Sequence, residues 1–353
     1  MRRVLFVLVT ALLAVLGGTA PARASTAVVA TCGATLTTDA HLTGDLSCPA
    51  GDGLTLSGSV TLDLRGFRLI GPGRDSTAIG VIVTTESSVT VRNGRIQGWG
   101  VGLGDPDQAA FTAAVRGVTF AGNGTGLVAI FDTTTVTGSR FVANTTGLTS
   151  FFAFTQVSGS TFARNGLAAG NSEGLLTITD SRLTDNPRGV SCGDGCTITR
   201  TTLRYGTTAL TGGMQVVDSV IANYSRGIVS AGSFPLSDVV TVTGTRFVGN
   251  GTATAVDGYG VLTVRSSTFR DNVVGFTTLP GSEDVSVLLD GNRFTRNGDG
   301  ILSTVAGVRL RANAAVRNLG WGIHAPGAVD LGGNTARGNG RSPQCVGVVC
   351  AGS

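Results

Sequence analysis

Apolar and polar residues alternate along most of this chain. Leu54 and Leu56 flank Thr55, and Val60, Leu62 and Leu64 are separated by Thr61 and Asp63. A period of two marks strands with one buried and one exposed face. Gly66 and Gly71 punctuate these runs, and glycine after an alternating run predicts a corner. Long amphipathic helical runs are absent. Gly, at 54 of 353 residues, fits an all-β chain with many turns.

The alternation is organised by a longer repeat. Val136-Thr-Gly138-Ser-Arg-Phe141-Val-Ala-Asn144-Thr-Thr-Gly147-Leu148 shows its form: apolar, Gly, small polar, Phe, Asn, Gly, apolar. Aligned on Phe141, the series reads Ile96, Phe120, Phe141, Phe162, Leu183, Leu203, Ile221, Phe247, Phe269, Phe294, Ala315 and Ala336. A period of about 22 residues without a helix means short strands joined by turns and wound into a solenoid. Around a dozen coils at about 4.8 Å each predict a rod about 60 Å long. Three residues after the index stands a column of Asn, broken at Gly206 and Tyr224. Asn tolerates left-handed backbone, and its amide can bond the turn and the next Asn in the stack. Two residues before the index, Ser139, Ser160, Ser181, Thr201 and Ser219 form a second small polar column.

This ladder of Phe, Asn and Gly resembles the right-handed parallel β-helix of the pectate-lyase-like superfamily, over roughly Leu54 to Asn339. The resemblance implies an all-β solenoid and, for an enzyme, activity on acidic polysaccharide. Family signatures do not follow. The Asn-Thr-Asp, Asp-Asp, Gly-His-Gly and Arg-Ile-Lys of polygalacturonase-like members are missing, and Arg95-Ile96-Gln97 lacks the Lys. Clustered acidic calcium ligands of the lyase type do not stand out. Tyr205-Gly206-Thr207 begins like the epimerase motif Tyr-Gly-x-Asp-Pro-His and then departs.

The ends are atypical. Met1-Arg2-Arg3, the apolar run Val4 to Leu16 and Ala22-Arg23-Ala24 read as a secretory signal, residues 1–24. That run is too short to span a bilayer, so secretion without a membrane anchor is expected. Residues 25–53 read as an N-terminal cap, 54–340 as the β-helix and 341–353 as a C-terminal cap and tail. Capping protects the last coil from pairing with other chains. Six cysteines in an exported chain imply disulfides, and they cluster as the local pairs Cys32 with Cys48, Cys192 with Cys196 and Cys345 with Cys350. No His lies near any pair, so no metal site is expected. Asn297-Gly-Asp299-Gly is read as a turn rather than a calcium loop.

Net charge does not point to a nucleic-acid partner. The net +4 comes from 26 basic residues, all Arg, against 22 acidic ones. Arg2, Arg3 and Arg23 leave with the signal, so 23 basic residues then face 22 acidic ones, and no basic footprint remains.

Candidate chemistry sits where the Asn column breaks. At the Gly138 position stand Asp180, Arg200 and Asp218 on consecutive coils; at the Ala143 position stand Asp185 and Tyr205. Local rules tend to fail at functional sites. Asp180, Asp185, Asp218 or Tyr205 would then move a proton, and Arg182, Arg200, Arg204 and Arg226 would hold an acidic substrate. Alternating Asp and Arg is also the simplest way to stack charges without repulsion. Phe131, Phe151, Phe152 and Phe154 would stack on sugar rings wherever they face outward. The expectations are a rod that binds polysaccharide, a purely structural or surface-interaction rod, or a polysaccharide lyase, epimerase or hydrolase of unrecognised type. Oligomeric state, substrate and cofactor are not encoded in any motif; none of the last is expected.

Overall fold

The computed structural model describes residues 27–351, apart from 106–109, 234–235, 259, 281 and 283–284. The expected signal, residues 1–24, lies outside them. The described chain is a parallel β-helix of about 14 turns, without helices. A representative coil runs Thr133–Thr137, Arg140–Val142 and Thr146–Phe151 before the next begins at Ala153–Ser158. Each strand pairs in parallel with its counterpart one coil on: Val136 with Val157, Phe141 with Phe162, Leu148 with Ala169. The coil therefore has three faces, the first, second and third in chain order. At about 4.8 Å per coil the rod is about 65 Å long.

Register turns the sequence columns into an interior. Phe141, Phe162, Phe247, Phe269 and Phe294 are fully buried. Their rings stack with centroids 4.5 Å apart for Phe141 and Phe162 and 4.4 Å for Phe269 and Phe294, with interplanar angles of 5° and 9°. Leu183, Leu203 and Ile221 carry the same column, also buried, between the two aromatic runs.

Both polar columns are hydrogen-bonded ladders at corners. The backbone N–H and the Nδ2 of Asn144 both donate to Asn165 Oδ1, at 3.0 and 2.9 Å, and Asn165 Nδ2 donates to Phe141 O. The ladder starts where Trp99 N donates to Asn123 Oδ1 and stops where Asn339 donates to Gln344 Oε1. The Ser column works alike: Ser139 N donates to Ser160 Oγ, and Ser160 N to Ser181 Oγ. Turns buried in a solenoid have no water to bond, so each corner must supply its own partners.

The break in the Asn ladder has a packing cause. Tyr224 takes the Asn position, 2% exposed, and its ring, with the Asn186 carbonyl, occupies the space that a side chain at Gly206 would need. Asn186 bonds Phe162 O and Thr184 O instead of a next Asn, and the ladder resumes where Tyr224 N donates to Asn250 Oδ1.

The three local disulfides form as expected: Cys32–Cys48, Cys192–Cys196 and Cys345–Cys350. Residues 27–53 already pair in parallel, with Ala27 opposite Ala40, Thr35 opposite Thr55 and Leu46 opposite Leu69. At the other end Cys345 pairs with Ile323.

Candidate functional site

The sequence candidates lie around the second face. Asp180, Arg200 and Asp218 occupy its leading corner, at φ 49°, 45° and 48°; Asp185 and Tyr205 occupy its trailing corner, at 57° and 64°. All are left-handed positions; Gly138 and Gly159 fill the leading corner on earlier coils. The two corners are five residues apart, at most about 16 Å of chain. The structure brings Asp180 and Arg200 together as a two-pronged ion pair at 2.7 and 2.8 Å. That pair lowers the Asp180 pKa and raises that of Arg200. Asp218 adds a weaker attraction on Arg200. Arg182 projects from the second face, and Arg226 starts the third. Both are exposed. Arg204 is half-buried, with an unpartnered Nε. Asp185 takes a hydrogen bond from the Thr184 hydroxyl.

A cleft lies elsewhere, at the corner between the third and first faces, and none of these eight residues lines it. Its volume is about 470 Å³, and Glu86, Ser87, Phe111, Phe131, Asp132, Phe152 and Phe154 are among its lining residues. Three large aromatic side chains face solvent here: Phe131 is 47% exposed, Phe152 42% and Phe154 56%. Phe131 and Phe152 stack at 5.2 Å with planes 3° apart, and Phe151 meets Phe152 edge-on at 4.4 Å. Packing against each other fixes their orientation.

The backbone beneath them is unusual. Phe131 and Phe152 have φ of 53° and 49°. The same column carries Glu86, φ 57°, two coils earlier and Glu173 on the coil after Phe152. Left-handed backbone costs a non-glycine residue about 1–2 kcal/mol. Two consecutive coils therefore hold a bulky, water-exposed ring on strained backbone. Strain of this kind clusters where a surface has a task.

Asp132 is the chemical group of the cleft. It is 4% exposed. Thr134 Oγ1 donates to its Oδ1 at 3.2 Å, while Oδ2 is buried without a partner. Burial pushes its pKa up from 3.8 to about 7, and the charge of Asp105 adds to the rise; bonds from Thr134 and the Ile130 backbone oppose it. At neutral pH this carboxyl holds a proton about half the time, so it can donate or accept one. The exposed Glu86 lines the same cleft.

A second, separate cleft lies further along the rod. Phe154 is register partner of Leu175 on the next coil, and Leu175 lines this cleft of about 350 Å³ with Cys196, Met214, Gln215, Val239 and Thr241. Leu175 and Val239 are 50% and 58% exposed. The two clefts lie end to end across the Phe154 and Leu175 register pair, an interrupted groove of aromatic and aliphatic side chains parallel to the axis.

No family model matches this sequence, and no curated protein matches it. Solved structures do. The catalytic unit of the thermostable GH87 alpha-1,3-glucanase from Streptomyces thermodiastaticus strain HF3-3 is 17% identical, with a TM-score of 0.41. The match covers 89% of this chain but 61% of that one, so the chain spans about three fifths of the glucanase unit. A double mutant of the tailspike protein of E. coli bacteriophage HK620 is 11% identical, with a TM-score of 0.43, over 85% of this chain and 68% of that one. At this distance no residue role transfers.

Sequence reading named three of the four phenylalanines that line the cleft, but not Phe111, Asp132 or Glu86. One signal was present: an aromatic at the same corner position on two consecutive coils, Phe131 and Phe152. Among the described residues no three His, Cys, Asp or Glu side chains are grouped to hold a metal ion, and no helix is long and apolar enough to cross a membrane.

Proposed function

We propose that the protein is exported and binds an extended polysaccharide along the groove that starts at Phe131, Phe152 and Phe154. The observation that carries this reading is the pair of stacked, exposed rings held on strained backbone beside a buried carboxyl. Flat apolar rings with a few polar groups match the faces of sugar rings, whose C–H surfaces are apolar and whose rims carry hydroxyls. The parallel sheet gives the groove its length and its repeat of about 4.8 Å per coil. Three disulfides support an oxidising, extracellular setting.

A second reading, glycoside hydrolysis, is favoured by one observation: the raised pKa of Asp132. A carboxyl protonated near neutrality suits a general acid that gives its proton to the glycosidic oxygen, while a second carboxylate such as Glu86 takes one from water.

The test is affinity electrophoresis through gels containing neutral or uronic-acid polysaccharides, followed by titration calorimetry with the best oligosaccharide. Phe152→Ala and Phe131→Ala should each weaken binding about tenfold, or about 1.4 kcal/mol. Unchanged affinity in both variants would sink the reading. Release of reducing ends that is lost in Asp132→Asn, with binding retained, would establish the hydrolytic reading; retained binding with no product would leave binding alone.

A further inference from the structure

Several arginines along the rod pair with a carboxylate on a neighbouring coil. Arg200 meets Asp180 at 2.7 Å, Arg296 meets Asp271 at 3.0 Å and Arg311 meets Asp290 at 2.6 Å, each across one coil. Near the C-terminal end three arginines without such a partner come together. Arg293 stands on one coil, Arg317 on the next and Arg337 on the one after. Register places Arg293 opposite Ala314, and Thr295 and Arg337 on either side of Val316. Arg317 follows Val316 at a left-handed corner, φ 56°.

These three arginines line one cleft of about 350 Å³, together with Thr295, Val316 and Gly338. No carboxylate lines it, and none of the three has an ion-pair partner among the described residues. Thr295 Oγ1 is buried there without a hydrogen-bond partner. Like charges on adjacent strands repel, and a native surface ordinarily avoids stacking them. A buried hydroxyl without a partner is likewise uncommon. The two departures share one place, and a single kind of ligand answers both.

We propose that this cleft binds a multi-oxygen anion, a sulfate or phosphate group, free or esterified to a sugar. Guanidinium forks bond such groups with two parallel N–H donors each. Three forks from three coils surround the group, and the Thr295 hydroxyl donates from the wall. The volume exceeds what a bare anion needs, so a sugar carrying the ester fits better than the anion alone. The site is about eight coils, or about 38 Å, from the aromatic cleft, and its existence does not depend on that cleft binding anything.

The experiment is titration calorimetry at low ionic strength with two probes: inorganic phosphate and a sulfated oligosaccharide of the heparin type. Variants are Arg293→Gln, Arg317→Gln, Arg337→Gln, Arg317→Lys and Thr295→Val. Arg182→Gln, on the same face and outside the cleft, is the control. The expected result is one saturable site, weakened about tenfold by each cleft Arg→Gln change, partly kept by Arg317→Lys and unaffected by the control. Thr295→Val, nearly equal in shape, should weaken binding about fivefold. Loss of both probes together means that the site reads the anion; binding of the oligosaccharide alone means that it reads the sugar ester. Either result supports the proposal. Two results overturn it: no saturable binding of either probe, or equal losses from Arg182→Gln and Arg317→Gln, which mark diffuse attraction to a basic face. Unfolding midpoints of all variants separate lost binding from lost folding.

Discussion

Replacing Asp132 with Asn should make the protein more stable at neutral and alkaline pH. The folded pKa is about 7 against 3.8 for an unburied carboxyl. Below about pH 3.8 both states hold the proton, and burial carries no charge penalty. Between the two values the unfolded chain releases its proton while the folded chain keeps it, so stability falls as pH rises and levels off above about 7. At about 1.36 kcal/mol per unit, the full effect is about 4 kcal/mol. Asp45, Asp180, Asp290 and Asp330 have lowered values and act at the acid end in the opposite sense. The window from about pH 5 to 8 therefore isolates about 3 kcal/mol for Asp132. Asn keeps the Oδ1 that accepts from Thr134 and sets an amide in place of the protonated oxygen, so it imitates the uncharged form. The assay is the thermal midpoint of wild type and Asp132→Asn across that window. For about 325 ordered residues unfolding together, about 3 kcal/mol corresponds to about 4 °C. The gap between the two curves should widen by about that amount from about pH 5 to about pH 8, and should close only below about pH 3.8. Parallel curves would refute the argument, because they would mean that Asp132 ionises in the folded protein as easily as in water.

Asn165→Ala should cost about 3–5 kcal/mol in urea unfolding, because it strands the Asn144 N–H and the Phe141 carbonyl inside the rod; a cost under about 1 kcal/mol would show that the ladder is decoration. Tyr224→Phe should be neutral or stabilising by about 1 kcal/mol, since the hydroxyl is buried without a partner. In the wild type, burial and the Asp185 charge raise the Tyr224 pKa beyond the ordinary tyrosine range, so alkaline absorbance titration should leave one tyrosine un-ionised until the rod unfolds. Gly206→Ala should destabilise by about 2–4 kcal/mol, because its methyl group would fall on the Asn186 carbonyl and the Tyr224 ring, and much of the cost should persist in a Tyr224→Ala background, which leaves the carbonyl in place.

The rod was legible because its rules are local and repeated. Alternation around Val136 and Phe141 specifies inside and outside, and the period stacks Phe141 on Phe162 and Asn144 on Asn165 in the same register. A solenoid coil touches only its neighbours, so a repeat in sequence is a contact map. The same logic explains why the broken ladder at Gly206 and Tyr224 drew attention. A missing Asn reads as a relaxed rule, yet the absent space at Gly206 and the ring at Tyr224 are one packing solution spread over two coils. Pairing of Asp180 with Arg200 was likewise foreseeable from the alternation of charge; that none of the eight candidates lines the aromatic cleft was not.

The aromatic cleft was hidden for a different reason. Along a strand, alternate residues point opposite ways, and Phe152 and Phe154 with Ala153 between them look like an ordinary two-sided strand. Which side is inside depends on where the corner falls. The left-handed turns at Phe131 and Phe152 set that phase, and they leave Phe152 and Phe154 outside while Ala153 and Asp132 face inward. Gly would be the expected choice for such a turn. Phe is a strained choice, sustained on two coils, and it delivers a flat exposed ring on each. Burying Asp132 follows from the same turn, because the residue after the corner is the one that enters the interior. The platform and the raised pKa are thus one geometric decision, and a chain that kept Phe131 and Phe152 while placing Ala at position 132 would hold the surface without the acid.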